Sequence, residues 1–427
     1  YAGNVSDPEI GRFYQSMQER VNDISAHLLF FSLELNEIED QAMAKQLKAA
    51  KAAKYRPWLE DIRSFRPHQL EEDMERLLHD KRVAGRAAWN RLFDETMADM
   101  RFDHDGKMLT SEEVMNMLSN PDEGVRKSAA ETLGQELEKH ARTFSLITNT
   151  LAKDKEIEDR WCSFARPESS RNLANQVEDE VVDALNKAVL DSYPDLSHRY
   201  YAMKAGWFGK DRLEQWDRNA PLPDADYSVI PWDQATDTVL NAYRDFSPDL
   251  ADIGQKFFEN AWIDAPVRPG KSSGAFAHPT VPSAHPYLLL NYQGKTRDVM
   301  TLAHELGHGC HQVLAAHQGN LMADTPLTLA ETASVFGEML TFRKMLRAQV
   351  DPAQRKVMLA GKVEDMLNTV VRQIAFFNFE LRVHTARRKG ELTAEDICDI
   401  WIEVQTESLG PAIRFDENYR WYWTYIP

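Results

Sequence analysis

The sequence contains 427 residues, and 43% of them are hydrophobic, so it can bury a substantial core and can divide into two lobes. Fifty basic and 67 acidic residues give a formal net charge of −17, which argues against nucleic acid or an anionic membrane as the main partner. The three cysteines lie far apart, and no stretch has the composition of a membrane span or a signal peptide, so we expect a cytoplasmic protein.

Helical periodicity dominates the chain and indicates a mainly α fold. It predicts long helices over residues 8–35, 39–64, 122–160, 176–208 and 352–390. The proline-rich stretch that begins at Pro221 is the clearest linker. We therefore expect an N-terminal helical lobe over residues 1–225 and a second lobe over residues 226–427.

Two parts of the sequence interrupt the helical pattern. Asp105-Gly106 lies between short flanks and predicts a hairpin turn. Residues 268–294 contain enough proline and glycine to forbid a long helix. Within that stretch we expect two short strands, at residues 275–277 and 287–292, just before the most informative segment of the chain.

That segment, residues 304–308, reads His-Glu-Leu-Gly-His within a stretch of helical periodicity. On a helix His304 and His308 lie one turn apart on one face, so both imidazoles can bind one Zn²⁺. Glu305 beside them is placed to take a proton from a metal-bound water. Gly307 and Gly309 each cost a helix about 1 kcal/mol relative to Ala. They indicate either a group that passes close to the backbone or tight packing between helices.

A zinc peptidase site usually has three protein ligands and an open fourth position. Asp324-Thr-Pro326 predicts a helix start, with a capping residue followed by proline in the first turn. Glu331 and Glu338 then share one face of an otherwise apolar helix, where a carboxylate is costly to bury unless it is paired or bound to metal. We predict Glu331 as the third ligand and Glu338 as its outer partner or alternate. A salt bridge between helices stays the competing interpretation of Glu331.

Four strings carry a family resemblance: Gly274-Ala-Phe-Ala, Pro286-Tyr-Leu-Leu-Leu-Asn-Tyr, Asp298 through His311, and Thr328-Leu-Ala-Glu-Thr-Ala-Ser. Together they resemble the thimet oligopeptidase–oligoendopeptidase F family of zinc metallopeptidases, and the oligoendopeptidase F branch more closely. The motif-bearing region covers roughly residues 205–427. The resemblance implies a two-lobed helical zincin-type peptidase with a small β-sheet region next to the H-E-x-x-H helix. It also implies one Zn²⁺ per chain and cleavage of oligopeptides in a deep cleft.

The resemblance also assigns roles to individual residues. It supports His304, His308 and Glu331 as ligands and Glu305 as the base. In the family the Gly-Ala-Phe strand pairs with the backbone of the substrate, which implies substrate contacts at Gly274, Ala275 and Phe276. The family carries a histidine at the position of His311 as well, and because three ligands are already assigned, we expect His311 in the outer shell or the core.

The family's oxyanion donors, a tyrosine and histidine set, come from a segment that follows the position of Pro427. We therefore expect further chain beyond Pro427, so that residues 226–427 would be a catalytic core without its C-terminal part. We also expect further chain before the first residue of this sequence. Three tyrosines near the end match none of those donors by motif: Tyr419, Tyr422 and Tyr425.

Three functional hypotheses follow. The leading one is a cytoplasmic zinc-dependent endopeptidase that acts on short peptides. The alternatives are a helical zinc carboxypeptidase, which shares the motif and the downstream glutamate, and a catalytically silent fragment that binds zinc or peptide. Glu305 argues against an evolved pseudo-enzyme, because a pure binding site has no need of that base, but truncation could still abolish turnover. The sequence predicts neither the preferred peptides nor the oligomeric state.

Overall fold

Helices form most of the computed structural model, which describes residues 1–223 and 228–426. In the described residues, the α-helices are α1 (Pro8–Ala26), α2 (Leu29–Glu37), α3 (Asp40–Gln46), α4 (Ala50–Ala53), α5 (Arg56–Ser64), α6 (Glu72–Lys81), α7 (Arg86–Asp99), α8 (Ser111–Met117), α9 (Glu123–Trp161), α10 (Ser169–Ala174), α11 (Asp179–Ser192), α12 (Arg199–Trp207), α13 (Trp232–Phe246), α14 (Pro248–Glu259), α15 (Thr296–Ala315), α16 (Leu327–Ala348), α17 (Pro352–Leu367), α18 (Gln373–Arg387) and α19 (Ala394–Leu409). None of these helices combines the length and the apolar character needed to cross a lipid bilayer.

Short strands complete the architecture of the described chain: β1 (Phe102–His104), β2 (Lys107–Leu109), β3 (Leu213–Glu214), β4 (Ile263–Pro266), β5 (Phe276–His278), β6 (Tyr287–Tyr292) and β7 (Ile413–Arg414). β1 and β2 form an antiparallel hairpin, and β3 pairs with β7 in parallel. The third sheet has the order β4-β6-β5 and lies immediately before α15 in the chain. The mainly α fold with a small sheet next to the H-E-x-x-H helix is thus confirmed.

The first two predicted helices are divided into shorter ones. The predicted helix over residues 8–35 ends at Ala26 and resumes at Leu29, and the predicted helix over residues 39–64 is divided into α3, α4 and α5. Met43 of α3 and Leu47, which directly follows α3, pack against Leu59 of α5, so the chain folds back to close a small apolar cluster. That cluster stabilises three short helices over one long one, since tertiary packing outweighs helix propensity.

Two other local predictions hold, and a third is wrong in detail. The hairpin turn lies at Asp105-Gly106, where both residues have positive φ. The predicted helix over residues 352–390 runs from Pro352 to Arg387 with a π-helical turn at Asn368–Arg372. The predicted helix start at residues 324–326 is wrong in detail, because α16 begins at Leu327 and the Asp324 carboxylate accepts a hydrogen bond from the N–H of Thr325 alone.

A first hydrophobic core surrounds α9, a helix of 39 residues. The buried side chains of this core come from the upstream half of the chain, for example Phe102 and Phe144, and from the downstream half, for example Phe379 and Trp401. The helices near the C-terminal end therefore pack against the upstream half. The predicted lobe boundary between residues 225 and 226 lies outside the described residues, so the division into lobes at that point stays a prediction.

A second core encloses the apolar face of α15. Val299, Leu302 and Leu306 of this helix are completely buried. Helices α13, α14 and α16 cover that face, and Leu288 and Leu290 of β6 pack against it from the sheet. Because one side of α15 is held by this core, the helix presents its opposite, polar side at a fixed position.

Candidate metal centre

The polar side of α15 carries His304 and His308, and the structure brings Glu331 of α16 to them. The Glu331 Oε2 atom lies 3.2 Å from His304 Nε2 and 3.5 Å from His308 Nε2. Among the described residues these three side chains form a group whose ligand atoms all lie within 4.8 Å of one another. Two imidazole nitrogens and one carboxylate oxygen at this spacing fit a single divalent metal ion.

Glycines set the separation of the two helices that carry this group. A methyl group on Gly307 would lie 2.7 Å from the Ala333 carbonyl oxygen and 2.9 Å from the Ser334 Cα atom, both in the backbone of α16. Gly309 faces the ring of Phe257 in the same way, at 2.7 Å. Tight packing therefore accounts for both glycines, and at Gly307 it is what allows Glu331 to reach the histidines.

Replacing Gly307 with Ala will test that close approach. The added methyl group overlaps backbone atoms, so α15 and α16 must separate, and we expect a loss of about 1–3 kcal/mol in the free energy of unfolding. Zinc affinity should fall as well, because Glu331 moves away from the histidines. Urea denaturation and zinc titration will measure the two effects.

Gly361 of α17 offers the matched control, since a methyl group there meets no atom within 4 Å. Gly361→Ala should keep zinc affinity and stabilise the fold by up to about 1 kcal/mol through helix propensity. Equal zinc affinity in the Gly307→Ala and Gly361→Ala variants would disprove the link between helix separation and the metal centre.

Hydrogen bonds hold Glu331 in the ionised form. Its Oε2 accepts a hydrogen bond of 2.6 Å from the hydroxyl of Ser334, a residue that is completely buried. The bonds from His304 and His308 keep the pKa of Glu331 well below its usual range. Burial by itself lowers the pKa of His304, but the contacts with Glu331 and Glu338 outweigh burial and raise it to about 9 in the metal-free state. Because these imidazoles must be neutral to bind a metal, a bound ion competes with protons here.

Glu305 is 6% exposed and follows His304 directly on α15. Burial raises the pKa of its carboxyl group, while the neighbouring imidazoles of His304 and His308 oppose the rise. A carboxylate with a raised pKa is a better proton acceptor than an exposed one. The position and the environment of Glu305 therefore suit proton transfer next to the metal centre.

Glu338 lies on the other side of the His304 ring from Glu331. Its Oε2 atom is 3.4 Å from His304 Nδ1, and its Oε1 atom accepts a hydrogen bond from Lys362 Nζ. Glu338 thus occupies the place of an outer partner that orients the imidazole, rather than a place beside both Nε2 atoms. The periodicity of α17 gave no reason to single out Lys362.

Two other side chains on α15 that could bind a metal ion, those of Cys310 and His311, take no part in the ligand group. Cys310 is buried, its Sγ atom lies 3.8 Å from the Leu250 carbonyl oxygen, and burial raises the pKa of its thiol to about 12. His311 is half-buried and lines a cavity beside Gly307 and Cys310. His311 is not in the group of converging ligand atoms, and its role outside the ligand set stays a prediction.

The predicted substrate strand lies at the edge of the third sheet. Gly274 and Ala275 directly precede β5, which begins at Phe276, one residue later than predicted. The Asn291 side chain donates hydrogen bonds to the carbonyl oxygens of Ser272, at 3.0 Å, and Gly274, at 2.9 Å. Asn291 therefore fixes the chain that enters β5, a role that alternation of apolar and polar residues in β6 did not predict.

The three tyrosines near the C-terminal end form hydrogen bonds with residues outside the ligand group. The Tyr419 hydroxyl is 3.0 Å from Gln405 Oε1, and the buried Tyr422 hydroxyl donates to the Ala130 carbonyl oxygen at 3.1 Å. Arg372 donates to the Tyr425 hydroxyl at 2.6 Å. These contacts belong to the first core and its rim, in agreement with the absence of a motif match to the oxyanion donors.

Comparisons with family profiles and with individual known proteins give the same family. The profile of peptidase family M3 matches residues 116–426, and that of the oligopeptidase F N-terminal domain matches residues 34–102. Oligopeptidase PepF of Bacillus subtilis is 26% identical over 445 aligned positions, which cover 100% of this chain and 66% of that protein. Group B oligopeptidase PepB of Streptococcus agalactiae is 27% identical over 437 positions, covering 99% and 72%. The chain thus spans about two thirds of the length of these relatives.

A solved structure adds agreement at the level of the fold. Oligoendopeptidase-F from Enterococcus faecium superposes with a TM-score of 0.69 at 21% identity, covering 99% of this chain and 72% of that one. The M3 profile covers well over half of the chain and includes the whole ligand group. The prediction that the chain comes from a metallopeptidase family is confirmed. The chain belongs to peptidase family M3, and its residues 34–102 match the oligopeptidase F profile.

Proposed function

We propose that this chain is a zinc-dependent endopeptidase that hydrolyses short peptides, with one Zn²⁺ held by His304, His308 and Glu331. The observation that carries the proposal is the convergence of their three ligand atoms within 4.8 Å. Glu305 next to them and membership of peptidase family M3 support it further. Two histidines and one glutamate are a common ligand set of catalytic zinc sites and leave one position open.

In the proposed reaction each residue has a separate task. A bound Zn²⁺ supplies Lewis acidity and lowers the pKa of a coordinated water to about 7. The Glu305 carboxylate accepts a proton from the attacking water and returns it to the nitrogen of the leaving amine. Burial of Glu305 favours this role, because it raises the pKa of the carboxyl group and makes the carboxylate a stronger proton acceptor.

We infer that the peptide backbone binds along β5. One edge of β5 pairs with β6, and in the described residues no strand pairs with the other edge. The Gln312 side chain of α15 donates to the Ala277 carbonyl oxygen at 3.4 Å, which ties this strand to the metal helix. An added strand at Gly274, Ala275 and Phe276 would bind varied sequences, because backbone hydrogen bonds do not depend on side chains.

Replacing Asn291 with Ala will weaken substrate binding without affecting the metal. The variant loses both hydrogen bonds that fix the entry to β5, and each contributes roughly 1 kcal/mol. We expect KM to rise by about fivefold or more, with zinc affinity unchanged. Steady-state kinetics and zinc titration measure both. Asn260→Ala is the control, since the Asn260 amide bonds only within its own helix turn; a KM equal in the two variants would contradict the role of β5.

We also propose that the enzyme acts in the cytoplasm. The three cysteines are unpaired, which suits a reducing compartment, and the net charge of −17 disfavours nucleic acid and anionic membranes as partners. Fractionation of cells that produce the protein tests this, and recovery in a secreted or membrane fraction would disprove it.

A fluorogenic peptide with both termini blocked tests the proposed activity. An endopeptidase cleaves it, and removal of zinc with a chelator stops the cleavage. A carboxypeptidase would cleave only peptides with a free C-terminal carboxylate. A silent binding fragment would bind zinc and cleave neither peptide, which would reject the proposed reaction.

A further inference from the structure

A lysine on a third helix reaches the metal centre through Glu338. Lys362 of α17 is 8% exposed, although lysine is among the side chains that proteins bury least often. Its Nζ atom donates to Glu338 Oε1, and Glu338 Oε2 lies against His304 Nδ1. The three side chains thus form a continuous line from α17 through α16 to α15.

The two oxygens of Glu338 are therefore divided between two partners. Oε1 is taken by Lys362, and Oε2 faces Nδ1, the ring nitrogen of His304 that points away from Glu331. With Nδ1–H donating to a carboxylate, the lone pair on Nε2 is left for a metal ion. A rotated Glu338 carboxylate would remove that bond, so the direction of the imidazole depends on what holds Glu338.

The surroundings of Lys362 show that its direction is constrained. Its Nζ atom lies 5.8 Å from the ring centroid of Phe342, a buried residue one turn beyond Glu338 on α16. The stem of the lysine is enclosed, and Glu338 itself has a side chain only 17% exposed. When His304 is neutral, as a metal ligand must be, Lys362 supplies the positive charge next to this half-buried carboxylate.

We propose that Lys362 is a positioning residue of the metal centre: through Glu338 it fixes the orientation of His304 and thereby sets the affinity for zinc. The inference rests on the zinc-binding part of the proposed function and adds a residue from a third helix to it. Lys362 is not one of the three converging ligand residues and donates to Glu338, so its effect on the metal centre passes through Glu338.

Replacing Lys362 with Met tests the proposal. We expect zinc affinity, measured by competition with a chromophoric chelator, to fall by about 10- to 100-fold, the usual effect of losing an outer partner of a ligand. The visible absorption of the cobalt-substituted chain should shift, because the geometry around the ion changes. Lys362→Arg keeps the charge and the donor, so it should recover most of the affinity and the parent spectrum.

Two further variants separate positioning from general stability. Lys356→Met removes an exposed lysine from the same helix and should leave both zinc affinity and cobalt spectrum unchanged. In a Glu338→Gln background, Lys362→Met should cost little further affinity, because the partner through which it acts is already altered. If Lys362→Met does not fold, this double variant, which leaves no uncompensated buried charge, still supplies the comparison with Glu338→Gln.

The outcomes are distinct from those of the activity test. A parent chain that binds zinc but cleaves no peptide would reject the proposed reaction, while the zinc affinities of the Lys362 variants would still decide the present inference. Parent-like zinc affinity and cobalt spectrum in folded Lys362→Met would overturn it. An equal loss of zinc affinity from Lys362→Met in the parent chain and in the Glu338→Gln background would overturn the inference as well.

Discussion

Replacing Glu305 with Gln should abolish most peptide hydrolysis while leaving one zinc ion bound per chain. Glutamine has nearly the same shape as glutamate but accepts no proton, and general acid–base catalysis typically contributes about 10²- to 10⁴-fold to the rate. We therefore expect kcat to fall within that range. Glu305 is not in the group of ligand atoms that converge on the metal position, so zinc affinity should stay at the level of the parent chain.

Zinc analysis and hydrolysis of the blocked peptide, measured on the same preparation, decide this prediction. Glu259→Gln is the matched control, because it makes the same chemical change at an exposed position on α14. Loss of zinc from Glu305→Gln would reassign Glu305 as a ligand. Unchanged hydrolysis in Glu305→Gln would show that Glu305 is not the catalytic base.

Replacing Glu331 with Ala should have the largest effect on the metal. The variant loses the carboxylate oxygen that lies 3.2 and 3.5 Å from the two imidazole Nε2 atoms. Losing an outer partner of a ligand typically lowers metal affinity about 10- to 100-fold, and losing a direct ligand should exceed that range. Hydrolysis should stop at zinc concentrations that saturate the parent chain.

The control for this change is Glu259→Ala, which removes an exposed carboxylate far along the chain from the site. Calorimetric zinc titration of both variants measures the difference. Parent-like zinc affinity in Glu331→Ala would indicate that Glu338 is the third ligand in place of Glu331. It would also favour the interpretation of Glu331 as a salt-bridge partner only.

The sequence predicts those parts of the site that local geometry determines. His304 and His308 share a face because the helical period places residues four apart on one side. The prediction of Glu331 rested on the cost of burying a carboxylate, but its side chain is 57% exposed, so that cost does not explain its position beside the two histidines. The hairpin at Asp105-Gly106 and the strand β6 also depend on short-range chemistry, and both appear where they were expected.

Residues whose role depends on tertiary contacts were not predictable in this way. Lys362 is separated from Glu338 by 24 positions, and Asn291 binds carbonyl groups 17 and 19 positions away. Nothing in the periodicity of either segment marks such contacts. The division of residues 39–64 into three helices has the same origin, because the contacts of Leu59 with α3 decide where the helices end.

X-ray absorption at the zinc edge tests whether one Zn²⁺ binds to His304, His308 and Glu331 with a position left open. We expect two imidazole nitrogens at about 2.0–2.1 Å from the zinc ion, oxygen donors at a similar distance, and no sulfur bound to the ion. The Glu331→Ala variant, loaded at high zinc concentration, should keep both imidazoles and change only its oxygen donors. A sulfur ligand at about 2.3 Å, or an unchanged shell in that variant, would contradict the assignment.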